Sequence, residues 1–125
     1  MSPAVKTLKN RMVIDLERDP KAPMGVGGIG HDIEWSPTSE RLAVSFKESN
    51  TDLIAVFGTS WGTLPSFQPL GYIRGPPSRF PKGKNMPIHM KFRPNCKGGA
   101  LLAVCWAEGQ ISIYPLLFQS TTRVK

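Results

Sequence analysis

Two histidines, a glycine-rich hexapeptide and a long acid-free basic stretch are the parts of this sequence whose residue types and spacing could do chemistry. Gly25-Val-Gly-Gly-Ile-Gly has the G-x-G-x-x-G spacing that lets backbone amides at a helix N-terminus cradle a pyrophosphate. That chemistry needs a strand running into the glycines and a helix leaving them. Here Lys21-Ala-Pro-Met precedes them, and His31 to Pro37 alternates like a strand, with a proline where the helix would run. The segment therefore reads as an inter-strand loop, and no cofactor is expected. His31 and His89 have only Asp32 as a metal-competent neighbour, which is short of a ligand set, so structural hydrogen bonding explains them better. Ser36, Ser45 and Ser60 lack the flanking glycines of a nucleophile elbow. No catalytic or metal-binding residue is assigned, and neither an enzyme nor a small-molecule substrate is expected.

The charge is unevenly spread. Up to Asp52 there are seven Lys or Arg against eight Asp or Glu, a net of −1; from Leu53 onward there are nine against one, a net of +8. No acid lies between Asp52 and Glu108, and Arg74, Arg79, Lys82, Lys84, Lys91, Arg93 and Lys97 fall in that gap. Such a field favours acidic partners, and these residues are the candidate partner-binding basic region. Nucleic acid is the alternative partner it suggests, with Phe80 and Phe92 interleaved as stacking groups. Cys96 and Cys105 are too few for a disulfide framework; Cys105 reads as a small buried hydrophobe and the compartment as reducing. No apolar run is long enough to cross a membrane as a helix, so no direct insertion is expected.

The elements that must position these residues are strands. Twelve glycines and twelve prolines in 125 residues favour many turns over long helices. His31 to Phe46 reads as a β-hairpin: Ile33 and Trp35 alternate with Glu34, Pro37-Thr-Ser turns, and Leu42, Val44 and Phe46 alternate with Ala43 and Ser45. The pattern recurs at Met90 to Trp106, shifted by 57 residues before the turn and 60 after it, with Leu102-Ala-Val-Cys-Trp repeating Leu42-Ala-Val-Ser-Phe. A hairpin repeated about 60 residues apart points to propeller blades.

Taken in order, residues 1–10 read as a flexible tail and Met12 to Leu16 as a lone strand. A first blade spans about 31–73, with Leu53 to Phe57 as its third strand and Phe67 to Ile73 as an edge strand that tolerates Pro69 and Gly71. Gly75 to Pro87 is a basic Pro/Gly loop without a single expected shape, and Trp61 falls in the loop 58–65. A second blade spans about 88–118, with strands at Ile88 to Phe92, Leu101 to Trp106 and Gln110 to Tyr114, a turn at Glu108-Gly109 and no good fourth strand; residues 119–125 read as a tail. The expected fold is all-β, about two four-stranded antiparallel blades of a partial WD40-type β-propeller, the second incomplete. Ile33, Trp35, Leu42, Val44, Phe46, Phe92, Leu102, Val104 and Trp106 are the expected blade core. Both alternating sets of Leu101 to Trp106 are apolar, so that strand needs cover on both faces. Burying one such aromatic is worth roughly 2–3 kcal/mol, and two blades cannot close a ring.

Trp35-Ser-Pro-Thr-Ser-Glu-Arg-Leu-Ala-Val resembles the second half of a WD-repeat, whose strands carry W-S-P-x-G-x-x-L-A, with Ser39 where that family prefers glycine. The Trp-Asp pair that ends such repeats is absent: Phe57-Gly58 and Tyr114-Pro115 stand near its place. His89 to Phe118, through Lys97-Gly-Gly-Ala-Leu-Leu-Ala-Val-Cys-Trp and Ile113-Tyr-Pro-Leu, looks like the last blades of a WD-repeat nucleoporin, with similarity from about 11 to 118. The resemblance implies a non-enzymatic scaffold of the nuclear pore complex. It further implies retention at the nuclear envelope by a transmembrane pore-membrane nucleoporin, contacts with other nucleoporins, and support of protein import. For His31 it implies a structural hydrogen bond.

Overall fold

A computed structural model describes residues 9–10, 12–17, 27–47, 52–81, 83–94 and 98–117. All regular structure among them is β. β1 (Ile29–Trp35), β2 (Arg41–Lys47), β3 (Leu53–Trp61) and β4 (Pro65–Arg74) form a four-stranded antiparallel meander, and β5 (Pro87–Phe92), β6 (Gly99–Trp106) and β7 (Ile111–Leu117) a three-stranded one. The two sheets are consistent with two blades of a partial propeller, the second short of its fourth strand.

The sequence repeat is a repeat of register. Ile33 faces Val44 and Trp35 faces Leu42 in the first sheet; Met90 faces Val104 and Phe92 faces Leu102 in the second. Even the irregularity repeats. Between Gly30 facing Phe46 and Asp32 facing Ser45, His31 is the extra residue; between Pro87 facing Trp106 and His89 facing Cys105, Ile88 is. A bulge adds local twist and re-aims a side chain, so both hairpins enter their sheets along the same path.

Several elements run further than their patterns indicate. β3 continues to Trp61, which pairs with Pro65, so Trp61 ends a strand rather than sitting in a loop. β4 carries Pro69 and Gly71, and β7 carries Pro115. Both strands lie at sheet edges, where a missing N–H removes no ladder bond. Met12 to Leu16 is a correction: it is an extended run rather than a sheet strand, tied by the Gly28 amide donating to the Leu16 carbonyl at 2.8 Å. Ile14 and Leu16 half-bury themselves over the first sheet while Met12, Val13 and Asp15 stay exposed. Of the two expected tails, residues 1–8 and all of 119–125 lie outside the described residues.

Each sheet has two faces, here named by their hairpin residues. The bulky face carries Ile33, Trp35, Leu42, Val44 and Phe46 in the first sheet and Met90, Phe92, Leu102, Val104 and Trp106 in the second; the small face carries Ala43 and Ser45, or Ala103 and Cys105. The main core forms where the second sheet's bulky face packs on the first sheet's small face, joining Met90, Phe92, Leu102, Val104 and Trp106 to Ala43, Ile54, Val56 and Ile73. Small residues at Ala43 and Ser45 let the sheets come close. A second cluster, Leu42, Val44, Phe46, Ala55 and Phe57, lies on the first sheet's bulky face under Ile14, Leu16 and Phe67.

Two members of the expected blade core are corrected. Ile33 is 55% exposed and Trp35 36%, although their repeat partners Met90 and Phe92 are buried at 1% and 6%. The repeat puts them on the same face, but among the described residues no sheet covers the first blade there, and Trp35 meets the Trp61 and Phe67 rings at 5.6 and 5.8 Å. Cys105 is exposed rather than buried, because it sits on the second sheet's small face, against which no described element packs.

Two backbone positions set local limits. Ser39 in the β1–β2 turn has φ of 63°, at the position where the resembled repeat carries glycine. A β-carbon in that left-handed region costs about 1–2 kcal/mol. Gly75 follows β4 beneath the Trp106 ring, where an added β-carbon would come within 2.5 Å of the indole. Ser39→Gly is expected to stabilise the fold by about 0.5–1 kcal/mol, since relief of strain exceeds the added unfolded-state freedom. Gly75→Ala is expected to destabilise by about 1–3 kcal/mol as an overpacked site. Urea unfolding of the two variants beside the parent chain measures both.

Candidate functional site

The sheets meet along β1 and β5, and polar groups there hold the join. The bulged His31 donates from Nε2 to the carbonyl of Ile88, the bulged residue of the other hairpin, at 2.7 Å. Because the partner is a carbonyl, Nε2 carries the proton. Asp32 Oδ2 accepts from the Met90 amide and Glu34 Oε1 from the Phe92 amide, both at 3.4 Å. These bonds join residues 57 or 58 apart in sequence, which is the repeat distance itself. His89 Nδ1 adds a 3.7 Å contact to Asp32. His31 thus does structural work between blades, and both carboxylates cap β5 amides that have no strand on that side. Sequence patterning missed Asp32 and Glu34 in this role, since they read as the polar half of an alternating strand.

The basic connection is held more firmly than its prolines and glycines suggest. Its expected lack of one shape is corrected by Asn85 and Glu108. Asn85 is 1% exposed. Its Nδ2 donates to Gln110 Oε1 at 2.8 Å and to the Pro76 carbonyl at 3.4 Å, while its Oδ1 accepts from the Glu108 amide at 3.0 Å. Glu108 in turn accepts from the Arg79 amide at 2.8 Å and from the Ser78 hydroxyl. The Arg79 amide, then the Ser78 hydroxyl, hold the Glu108 carboxyl below the ordinary glutamate range. A polar side chain buried this deeply is stable only when its groups are paired, and the pairing ties Pro76, Ser78, Arg79 and Asn85 to the β6–β7 turn. A lone Asn in a Gly/Lys/Pro loop carried no signal of this, because its partners are remote in sequence.

The basic residues fall into separate settings. Arg74 pairs with Asp52 at 3.8 Å, its carbonyl accepts from the Tyr114 hydroxyl, and it shares a cleft of about 460 Å³ with Lys84, Ser78 and Asn85. Arg79 is exposed. Lys91 and Arg93 instead border an apolar hollow of about 280 Å³ with Leu101, Ala103 and Ile113, on the second sheet's small face. Lys82 and Lys97 lie outside the described residues. Phe92 is in the core and cannot stack on a base, which leaves exposed Phe80 alone among the proposed stacking groups.

A further cleft of about 530 Å³ lies between the 12–17 run and the first sheet's bulky face, lined by Ile14, Leu16, Gly28, Gly30, Ile33 and Val44. Two glycines of the G-x-G-x-x-G segment border it, but Gly30 is already in β1, so the motif leads into a strand. Gly25 and Val26 lie outside the described residues. Among the described residues no three His, Cys, Asp or Glu side chains gather as metal ligands, and no helix is long and apolar enough to cross a membrane.

No protein-family profile matches the chain. Among curated proteins, aladin of Arabidopsis thaliana is 42% identical over 99 residues, which is 77% of this chain and 21% of the relative. The chain is similar to aladin. It spans about a fifth of the length of the relative it matches, so the alignment compares one segment of that protein with most of this one.

Asp32→Ala and Glu34→Ala each strip the cap from one β5 amide. Each is expected to cost about 1 kcal/mol in denaturant unfolding, the usual penalty for a partly buried donor left unpaired. Glu108 gives a pH test. A folded-state pKa below the unfolded value means its contribution is present above about pH 4.3, the ordinary value, and is lost as pH falls through the lower folded value. Glu108→Gln is expected to remove that acid-side dependence and to raise protease cutting between residues 76 and 86, read by limited digestion across pH 3–6.

Proposed function

We propose that this chain is a two-blade segment of a WD-repeat scaffold of the nucleoporin type. Its first blade spans the sheet at 29–74 and its second the sheet at 87–117, joined by the basic loop. It acts by presenting surfaces to other proteins, with no catalytic role, at the nuclear pore complex of the nuclear envelope. There it contacts other nucleoporins, including a transmembrane one, and supports protein import. The repeated register carries this reading: the same bulge and pairings recur, and the bulky face of one sheet packs on the small face of the other, as stacked blades do. The 42% identity to aladin supports the same assignment. The nucleic-acid alternative is not favoured, since Phe92 is buried and the cations are divided between a loop cleft and a sheet face.

A chimera tests it. Replacing the matching 99-residue segment of the Arabidopsis aladin with this chain, carrying a fluorescent tag, is expected to give a nuclear-rim signal like that of the tagged intact relative. A chimera that folds but spreads through nucleus and cytoplasm, while the relative stays at the rim, would overturn the pore assignment.

A further inference from the structure

The cleft beside Asn85 sets two cations on backbone that is already held in place. Arg74 pairs with Leu53 in the first sheet's ladder, and its carbonyl accepts from the Tyr114 hydroxyl at 3.0 Å. Lys84 directly precedes Asn85, which the β6–β7 turn holds through Glu108 and Gln110. Lys84 is exposed, and so is 62% of the Arg74 side chain. Among the described residues Arg74 meets Asp52 at 3.8 Å, a contact that leaves most of the guanidinium's N–H donors to another acceptor. Glu108, the other carboxylate nearby, is engaged by the Arg79 amide and the Ser78 hydroxyl.

Apolar surface adjoins this charge. Pro77 lines the cleft, and Gly83, which also lines it, donates its amide to the Phe80 carbonyl at 3.1 Å and lies beside the Phe80 β-carbon. Phe80 is 65% exposed.

We propose that this cleft binds an acidic peptide segment of a partner protein, with a side-chain carboxylate on Arg74 and Lys84 and a neighbouring apolar side chain against Pro77 and Phe80. Arg74 can meet a carboxylate with its planar fork, and Lys84 adds a point charge. A peptide suits the cleft better than a nucleic acid does. A phosphodiester chain repeats its charge at every unit and sets phosphates against Asp52 and Glu108, whereas a peptide places carboxylates only where the cations are. At about 460 Å³ the cleft is of the size that holds a drug-sized group, so a few peptide side chains fill it. Because the backbone is fixed beforehand, binding orders little beyond the two cationic side chains.

The inference rests on the reading of the chain as a protein-binding scaffold. Its test is fluorescence anisotropy of the purified 125-residue chain with three labelled probes: a short peptide of Glu and Asp interspersed with Leu and Phe, the same peptide with Gln and Asn for its acids, and an oligouridylate. The acidic peptide is expected to bind, more weakly as salt rises, and the amide peptide to give no signal. Arg74→Gln and Lys84→Gln are each expected to weaken binding about fivefold, the loss of one exposed charged contact. Lys91→Gln, on the other basic surface, is expected to leave it unchanged. Asp52→Asn separates binding from structure, because it releases the guanidinium and is expected to tighten binding about twofold; if Arg74 only paired with Asp52, the two variants would weaken binding alike. Melting profiles confirm that each variant is folded, and Lys84, at an exposed position, keeps the test decisive should Arg74→Gln unfold. Absence of acidic-peptide binding at low salt overturns the proposal, as does equal binding of the amide peptide, a Lys84→Gln chain that binds as the parent does, or an oligouridylate held more tightly by the same two residues. A chimera at the nuclear rim with no peptide binding would remove this inference alone, and peptide binding by a chain whose chimera misses the rim would remove only the pore assignment.

Discussion

The contact on which everything else depends is the packing of one sheet's bulky face on the other's small face. An isolated antiparallel sheet of three or four strands has two faces and covers neither by itself. β6 is apolar on both, and β2 carries Leu42, Val44 and Phe46 on one face and buries Ala43 and Ser45 on the other, so neither sheet is stable without a neighbour. Stacking solves half of this. It buries Trp106, Met90, Phe92 and Leu102 against Ile54, Val56 and Ala43, and at roughly 2–3 kcal/mol per large side chain those residues carry much of the margin a domain of this size has.

The polar contacts follow from that geometry. Stacking with the same register brings β1 alongside β5, and the repeated bulge sets His31 opposite the Ile88 carbonyl. Amides of β5 that point toward β1 without a ladder partner are met by Asp32 and Glu34. The same docking brings the β6–β7 turn under the connection between the sheets, where Asn85 and Glu108 pin it. The loop's shape is thus a consequence of blade stacking and is not encoded by the loop's own composition.

Among the described residues, Arg74 and Lys84 border the Asn85 cleft while Lys91 and Arg93 border the Ile113 face, so these four cations are divided between two surfaces.

Much of the architecture was legible in the sequence, because strand alternation and a repeat are local or translational patterns. The two hairpins, the all-β class and the turn at Glu108-Gly109 all follow from spacing. Ser39 stood out as the residue in glycine's place, and its φ of 63° is the conformation that preference implies. Burial was a different matter. Ile33 and Met90 look alike in pattern, yet one is exposed and the other buried, because periodicity assigns a side chain to a face and only the neighbouring sheet decides whether that face is covered. Cys105 came out exposed for the same reason. The carboxylate caps, the Asn85 hub and the division of the cations needed the tertiary structure, since each joins residues more than 20 positions apart through contacts that form only after the sheets dock.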